Sequence, residues 1–365
     1  MASTTPASIF LNQDLLQHIC DFQDGVYADL LPLLPTGSFN DKACRQFQAT
    51  VRPNHAFLID FDTEFAPWLA AHPRLRDALR LLHCRPHLKP VFIAHAASYG
   101  QLALLEHFAS ELHAHNLLLD MAAWHGQVEV VDLLVKRVGI NTCTTDAMDG
   151  AARNGHLNVV RFLHAHTNAT CTTDAMDTAA MHGHLETVQF LQQEHHGRCT
   201  QWALDEAAAN GHMEVVRFLH EHRKEGCTTR AMDMAAMNGH LDVVQFLHVN
   251  RTEGCTINAM NNAASTGRLE VVRFLHDNRT EGCTTFAMNY AASNGHLEVV
   301  RFLHENRTEG CTSVALDDAK RNGHKAVARF LLLQRSEPSF SKWMAMAEDM
   351  CQKCVAFASK GLAIA

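Results

Sequence analysis

Residues 227–254 read CTTRAMDMAAMNGHLDVVQFLHVNRTEG. Thr228 stands where a helix begins, because its hydroxyl can accept a hydrogen bond from a free amide of the first turn. From Thr229 to Met237 small and apolar residues recur at helical spacing. The segment stops at Asn238-Gly239, where glycine takes the left-handed turn at no steric cost. A second helix is predicted from Leu241 to Val249, with Leu241, Val243, Val244, Phe246 and Leu247 on one face. Thr252-Glu253-Gly254 closes the stretch in a short turn. A helix pair this small cannot bury its apolar face alone, so it requires neighbours of the same kind.

The chain supplies them. Cys143, Cys171, Cys199, Cys227, Cys255, Cys283 and Cys311 follow one another at steps of 28 residues, and Gly155, Gly183, Gly211, Gly239, Gly267, Gly295 and Gly323 keep the same step. A fixed period of this size marks a stacked array and outranks any local reading. Two looser copies precede the strict ones, centred on Gly100 and Gly126, which gives about nine units within residues 87–335.

A period of 28 also suits leucine-rich repeats, but their L-x-x-L-x-L pattern and strand segment are missing, and tetratricopeptide units are longer. The core Ala235-Ala236-x-Asn238-Gly239-His240-Leu241-x-Val243-Val244 closely resembles the A-A-x-x-G-H-L-x-V-V core of ankyrin repeats. The resemblance covers about two-thirds of the chain. It implies an all-α solenoid of stacked helix pairs and a non-enzymatic module for protein–protein interaction, a scaffold or adaptor. Two features depart from the family. The T-P-L-H opening is replaced by a variable residue and Ala-Met-Asp, as at Arg230-Ala231-Met232-Asp233, and each unit is about five residues short of the usual 33. The missing residues belong to the β-hairpin finger, so little or no β-structure is expected.

Composition narrows the function further. Formal net charge is −8 and the pI is near 6.3, the wrong sign for a nucleic-acid footprint. No apolar run is long enough to span a membrane. Met1-Ala2-Ser3-Thr4-Thr5 has no basic residue before its short apolar stretch, so no secretory leader is expected and the place is cytoplasmic or nuclear. A monomer is expected, with one or more proteins as partners. No cofactor or metal is expected, and no catalytic residue is assigned. The cysteine ladder reads as small buried residues, since stacked helix pairs lie roughly 8–10 Å apart, beyond disulfide reach. Cys351-x-x-Cys354 is a lone pair without the second half of a metal site. His156, His184, His212, His240, His296 and His324 belong to the repeating Gly-His and read as framework. Asp60-x-Asp62-x-Glu64 reads as a solvated acidic turn. The sequons at Asn250, Asn278 and Asn306 are expected to stay unmodified.

The variety of the chain is concentrated on one face. With the cysteine as position 1, positions 5, 6, 9 and 10 of the first helix (helix A) share one arc, for example Ala287, Met288, Ala291 and Ala292. Positions 4, 8 and 11 share the opposite arc and change from unit to unit. That arc carries the candidate partner-binding residues Met121, Trp124, Met181, Trp202, Glu206, Arg230, Met234, Met237, Asn258, Asn262, Phe286 and Tyr290. Aromatic and methionine enrichment on a solvated helix face is the composition of a contact patch. The second helix (helix B) repeats a monotonous acid–arginine pair, Glu214/Arg217, Glu270/Arg273 and Glu298/Arg301, and reads as a solubilising outer face.

The flanks do not repeat. Residues 1–86 form a helical N-terminal region, with Phe65 to His83 as a degenerate helix pair closing the stack. Within it Leu11-x-x-Asp14-Leu15-Leu16-x-x-Ile19-x-x-Phe22 resembles the opening of an F-box, which implies a substrate-recognition subunit of a ubiquitin ligase. Asn12 stands where that motif has Pro. Residues 336–365 are expected to form a C-terminal capping helix around Trp343 to Phe357.

Overall fold

The computed structural model describes residues 22–23, 26–27, 55–71, 75–114, 117–141, 143–194 and 198–334. The chain is all-helical, with one antiparallel pair of two-residue strands, Phe22–Gln23 with Val26–Tyr27, among the described residues. It divides into two units, Met1–Arg198 and Cys199–Ala365. Among the described residues are nine repeat helix pairs, four in the first unit and five in the second.

In the first unit a helix pair, His55–Ala71 and Leu75–Cys84, precedes the repeats. It begins at His55 rather than at Phe65. The acidic run Asp60-x-Asp62-x-Glu64 therefore lies inside a helix, and the reading of a solvated turn is overturned. Asp62 pairs with the buried His95 at 2.8 Å. Phe61, Phe65 and Phe92 pack edge-on around them, which seats this pair on the first repeat. That repeat is Lys89–Tyr99 with Leu102–His107. The next is Leu118–Trp124 with Val128–Asp132, extended by a π-helical turn over Leu133–Val138. Thr145–Arg153 with Leu157–His166 and Thr173–Met181 with Leu185–Glu194 complete the unit.

The second unit holds Gln201–Ala209 with Met213–His222, Thr229–Asn238 with Leu241–Asn250, and Ile257–Ser265 with Leu269–Asn278. Thr285–Ser293 with Leu297–Asn306 follows, and then Ser313–Arg321 with helical residues 325–334. Helix A packs on the next helix A within each unit. The alanines at positions 9 and 10, such as Ala235, Ala236, Ala263 and Ala264, are fully buried and permit that close approach. The two valines and the leucine of helix B, as in Val243, Val244 and Leu247, fill the space beneath.

Three fastenings recur between neighbouring repeats. Position 7 of one helix A accepts from the capping threonine of the next: Thr228 donates from N and Oγ1 to Asp205 at 2.8 and 2.6 Å. Thr256 does the same to Asp233 at 2.8 and 2.7 Å. In the last repeats asparagine takes over, with Thr284 N donating to Asn261 Oδ1 at 3.0 Å and Asn261 Nδ2 donating to Thr284 Oγ1 at 3.2 Å. The second fastening joins the connecting turns. Arg251 pairs with Glu253, and Glu253 Oε1 accepts from Cys227 N at 3.3 Å. Arg279–Glu281 and Arg307–Glu309 repeat the pair. Among the described residues these compact turns carry no β-strand, in keeping with the short period.

The third fastening explains the Gly-His pair. The His184 ring lies so close over Gly155 that a Cβ there would sit 2.6 Å from its Nδ1, and Gly155 has φ +73°. His240, His296 and His324 cover Gly211, Gly267 and Gly295 in the same way, so these histidines close over the preceding repeat's turn.

Candidate functional site

The free face of helix A is positioned by its capping threonine. In Thr229–Asn238 the Thr228 hydroxyl accepts from Arg230 N at 3.2 Å, which fixes the first turn and points position 4 outward. Trp202, Phe286 and Tyr290 are exposed at 39%, 57% and 53%. Arg230 and Asn258 are exposed, whereas Met181, Glu206, Met234, Met237 and Asn262 are half-buried. Phe286 and Tyr290 lie one turn apart with ring centroids at 5.9 Å.

Two predicted residues do not belong to this face. Met121 is 5% exposed and lies in the core. Its helix starts late, after Leu117, which has φ 71° and no side-chain cap, because this looser repeat lacks the threonine. Trp124 is half-buried, with its ring in the space left by Gly150: a Cβ on Gly150 would meet Trp124 Cε3 at 2.5 Å. The Arg153 guanidinium covers the same ring at 5.9 Å, and Asn154 Nδ2 donates to the Trp124 carbonyl at 3.0 Å. Trp124 is therefore packing between repeats. Its clue in the sequence was a glycine at position 8 of the next unit.

Ile257, which is exposed, was missed, and the exposed Val314, at the variable position 4, joins the candidates. Ile257 occupies position 3, where the other strict repeats carry Thr145, Thr173, Gln201, Thr229, Thr285 and Ser313. A lone β-branched hydrocarbon among polar residues was the available signal.

The charges on this face of the second unit neutralise one another. Arg230 Nη2 pairs with Glu206 Oε1 of the preceding repeat at 2.8 Å, and Arg321 with Asp318 at 2.9 Å. Helix B differs from its sequence reading. The Glu270–Arg273 and Glu298–Arg301 pairs are present at 3.9 and 3.5 Å. The arginines also reach across the repeat boundary, Arg217 lying 5.7 Å from the Phe246 ring centre and Arg273 5.2 Å from that of Phe302. His220, His248 and His276 meet the same phenylalanine ladder edge-on. The outer face thus carries fastening as well as charge.

Titratable groups are tuned by burial. Burial holds His95 below the ordinary histidine value against the pull of Asp62, and it also lowers His125 and His156. Burial raises Asp120 and Asp149, opposed by their threonine hydrogen bonds. Burial first, then neighbouring Glu253, pushes the Cys227 thiol up to about 12. Among the described residues no cluster of three or more His, Cys, Asp or Glu could hold a metal ion. A cleft beneath the connecting turns, lined by Cys199, Leu219, Arg223 and Arg251, has room for about one water molecule. No helix among the described residues is long and apolar enough to cross a membrane.

Stacked helix pairs with an invariant framework and one variable, partly aromatic face define a repeat protein built for contact. Profiles for ankyrin repeats match residues 119–202 and 260–341 (described as three copies) and residues 204–248 (many copies), more than half of the chain. The chain belongs to the ankyrin-repeat family. Such arrays serve protein–protein interaction and are typically non-enzymatic, so proteins are the partners to be expected. No curated protein matches the chain.

Proposed function

We propose that this chain is a non-enzymatic scaffold or adaptor, a cytoplasmic or nuclear monomer that grips a protein through the variable face of helix A in its second unit. The observation that carries the reading is the exposure of Trp202, Phe286 and Tyr290 on a face whose framework neighbours are buried alanines. The ring area left in water adds little to the stability of the free protein, and such side chains dominate interfaces when a partner covers them, each contributing about 2 kcal/mol or more on truncation. Trp202→Ala with Tyr290→Ala should remove the proteins that the wild-type chain retains from a cell extract while leaving the melting temperature nearly unchanged. Arg217→Ala with Arg273→Ala should leave retention intact. Unfolding by the aromatic pair, with retention preserved in what remains folded, would sink this reading.

A second reading rests on the Leu11-x-x-Asp14-Leu15-Leu16-x-x-Ile19-x-x-Phe22 pattern. It makes the chain the substrate-recognition subunit of a ubiquitin ligase, with the array holding the substrate. Residues 11–21 lie outside the described residues, as does Trp343 to Phe357. Leu15→Asp with Ile19→Asp in the full chain separates the readings, because it should abolish ligase-scaffold binding in the second and change nothing in the first.

A further inference from the structure

The face of helix A is not uniform along the second unit. Ile257–Ser265 reads INAMNNAAS and Thr285–Ser293 reads TFAMNYAAS, two successive A helices without a single charged side chain. Their register follows from contacts already described. Arg230 reaches Glu206 across 24 residues, from position 4 of one repeat to position 8 of the one before. The same step sets Val314 against Tyr290 and Phe286 against Asn262. Asn294 Nδ2 donates to the Ser265 carbonyl across 29 residues at 2.8 Å, and the same step sets Phe286 beside Ile257. Ile257, Phe286, Tyr290 and Val314 therefore form one apolar ridge across three repeats, with exposures from 43% to 57%.

Beside the ridge stand Asn258 and Asn262, one turn apart, with no side-chain partner among the described residues. A carboxamide offers a carbonyl oxygen and an NH2 group, so it can accept from the N–H and donate to the C=O of a peptide unit. A helical ligand has its peptide groups engaged along its own axis, so it has little use for such groups. An extended chain presents them. Successive repeats stack roughly 8–10 Å apart, and a polyproline-II chain rises about 3.1 Å per residue with three residues per turn, so every third side chain shares one face and the backbone groups stay open. One repeat therefore matches about three residues of ligand.

We propose that the ridge from Ile257 to Val314 takes an uncharged peptide segment of its partner in the extended polyproline-II conformation. Apolar side chains at every third position lie on Ile257, Phe286, Tyr290 and Val314, and the peptide backbone is held by Asn258 and Asn262. The proposal rests on the reading of helix A as the binding face and adds the chemistry of what binds there. Charge complementarity fixes that chemistry: a charged ligand would give up hydration over the two uncharged helices at the centre of the ridge and meet no counter-ion there, while Arg230 is engaged by Glu206 and Arg321 by Asp318.

A displayed library of random twelve-residue peptides panned on the full chain tests it. Recovered peptides should be neutral, with apolar residues three apart. Their affinity should change less than about twofold between low and high salt, because no ion pair is formed. It should fall at least about tenfold in Tyr290→Ala and in Asn258→Ala with Asn262→Ala, as expected for loss of an anchor and of the backbone grip. Recovery of acidic or basic peptides, of peptides with a seven-residue apolar period, or of none dependent on Tyr290 would overturn the proposal. The reading of the face as a whole fails separately, through retained partner capture by the Trp202/Tyr290 variant.

Discussion

Thr228 does three things with one backbone amide and one hydroxyl. It donates twice to Asp205 and accepts from Arg230 N, so the cap of one helix is also its attachment to the previous repeat. A hydroxyl shared in this way is hard to replace. Thr228→Val keeps the shape but loses the cap and leaves one oxygen of the buried Asp205 without its donor, at a cost of about 1–3 kcal/mol in urea denaturation. Asp205→Asn should cost less, because the chain already uses Asn261 and Asn289 in that role. Equal losses for the two variants would show that the carboxylate charge, rather than the hydrogen-bond geometry, holds the repeats together. In the sequence this fastening was hard to see, since a polar residue at position 7 that stays Asp or Asn reads as an ordinary solvated position. Its constancy, set against the turnover at position 8, was the only sign that it is held by the next repeat.

The helix pair was legible almost to the residue. The first helix of the repeat from Cys227 was expected over Thr229 to Met237 and spans Thr229–Asn238. The second was expected over Leu241 to Val249 and spans Leu241–Asn250. Glycine, the capping threonine and the apolar period are local signals, and local signals fix helix ends. The fate of an outward side chain is not local, because it depends on what the neighbouring repeat leaves open. That is why Trp124 and Met121 were misplaced and Ile257 was overlooked. The connecting turn also depends on its neighbour. In the turn after Leu241–Asn250, burial works against Glu253, but the Arg251 guanidinium and the backbone amides outweigh it and hold the carboxyl down to about 2, from an ordinary 4.5. A carboxyl lowered on folding contributes stability that is fully present above the unfolded value and is lost as pH falls toward the folded one. The denaturation midpoint should therefore drop between about pH 5 and 2. Glu253→Gln should lower stability at pH 7 and flatten part of that drop, and an unchanged acid profile in this variant would exclude the turn as a contributor.

At the scale of the molecule, each unit is a row of near-identical pairs whose cohesion is nearest-neighbour, so opening at one place need not open the rest. Each strict repeat carries a cysteine thiol, outside any disulfide, at the same point beside the connecting turn. Cys143, Cys255 and Cys283 are pushed up to about 11 and Cys227 to about 12, chiefly by burial. At pH 8 only about one such thiol in a thousand or fewer is ionised, and only the thiolate attacks an alkylating reagent. Modification of these four thiols is therefore slow in the closed repeat, and its rate rises as that repeat opens. Iodoacetamide labelling followed by peptide mass spectrometry should find Cys311, in the last repeat, modified well before Cys227 and Cys255. Identical rates along the second unit would mean that it opens only as a whole. The ladder that first betrayed the period is thus a row of evenly spaced timers, slow toward oxidants and electrophiles while the helices stay closed.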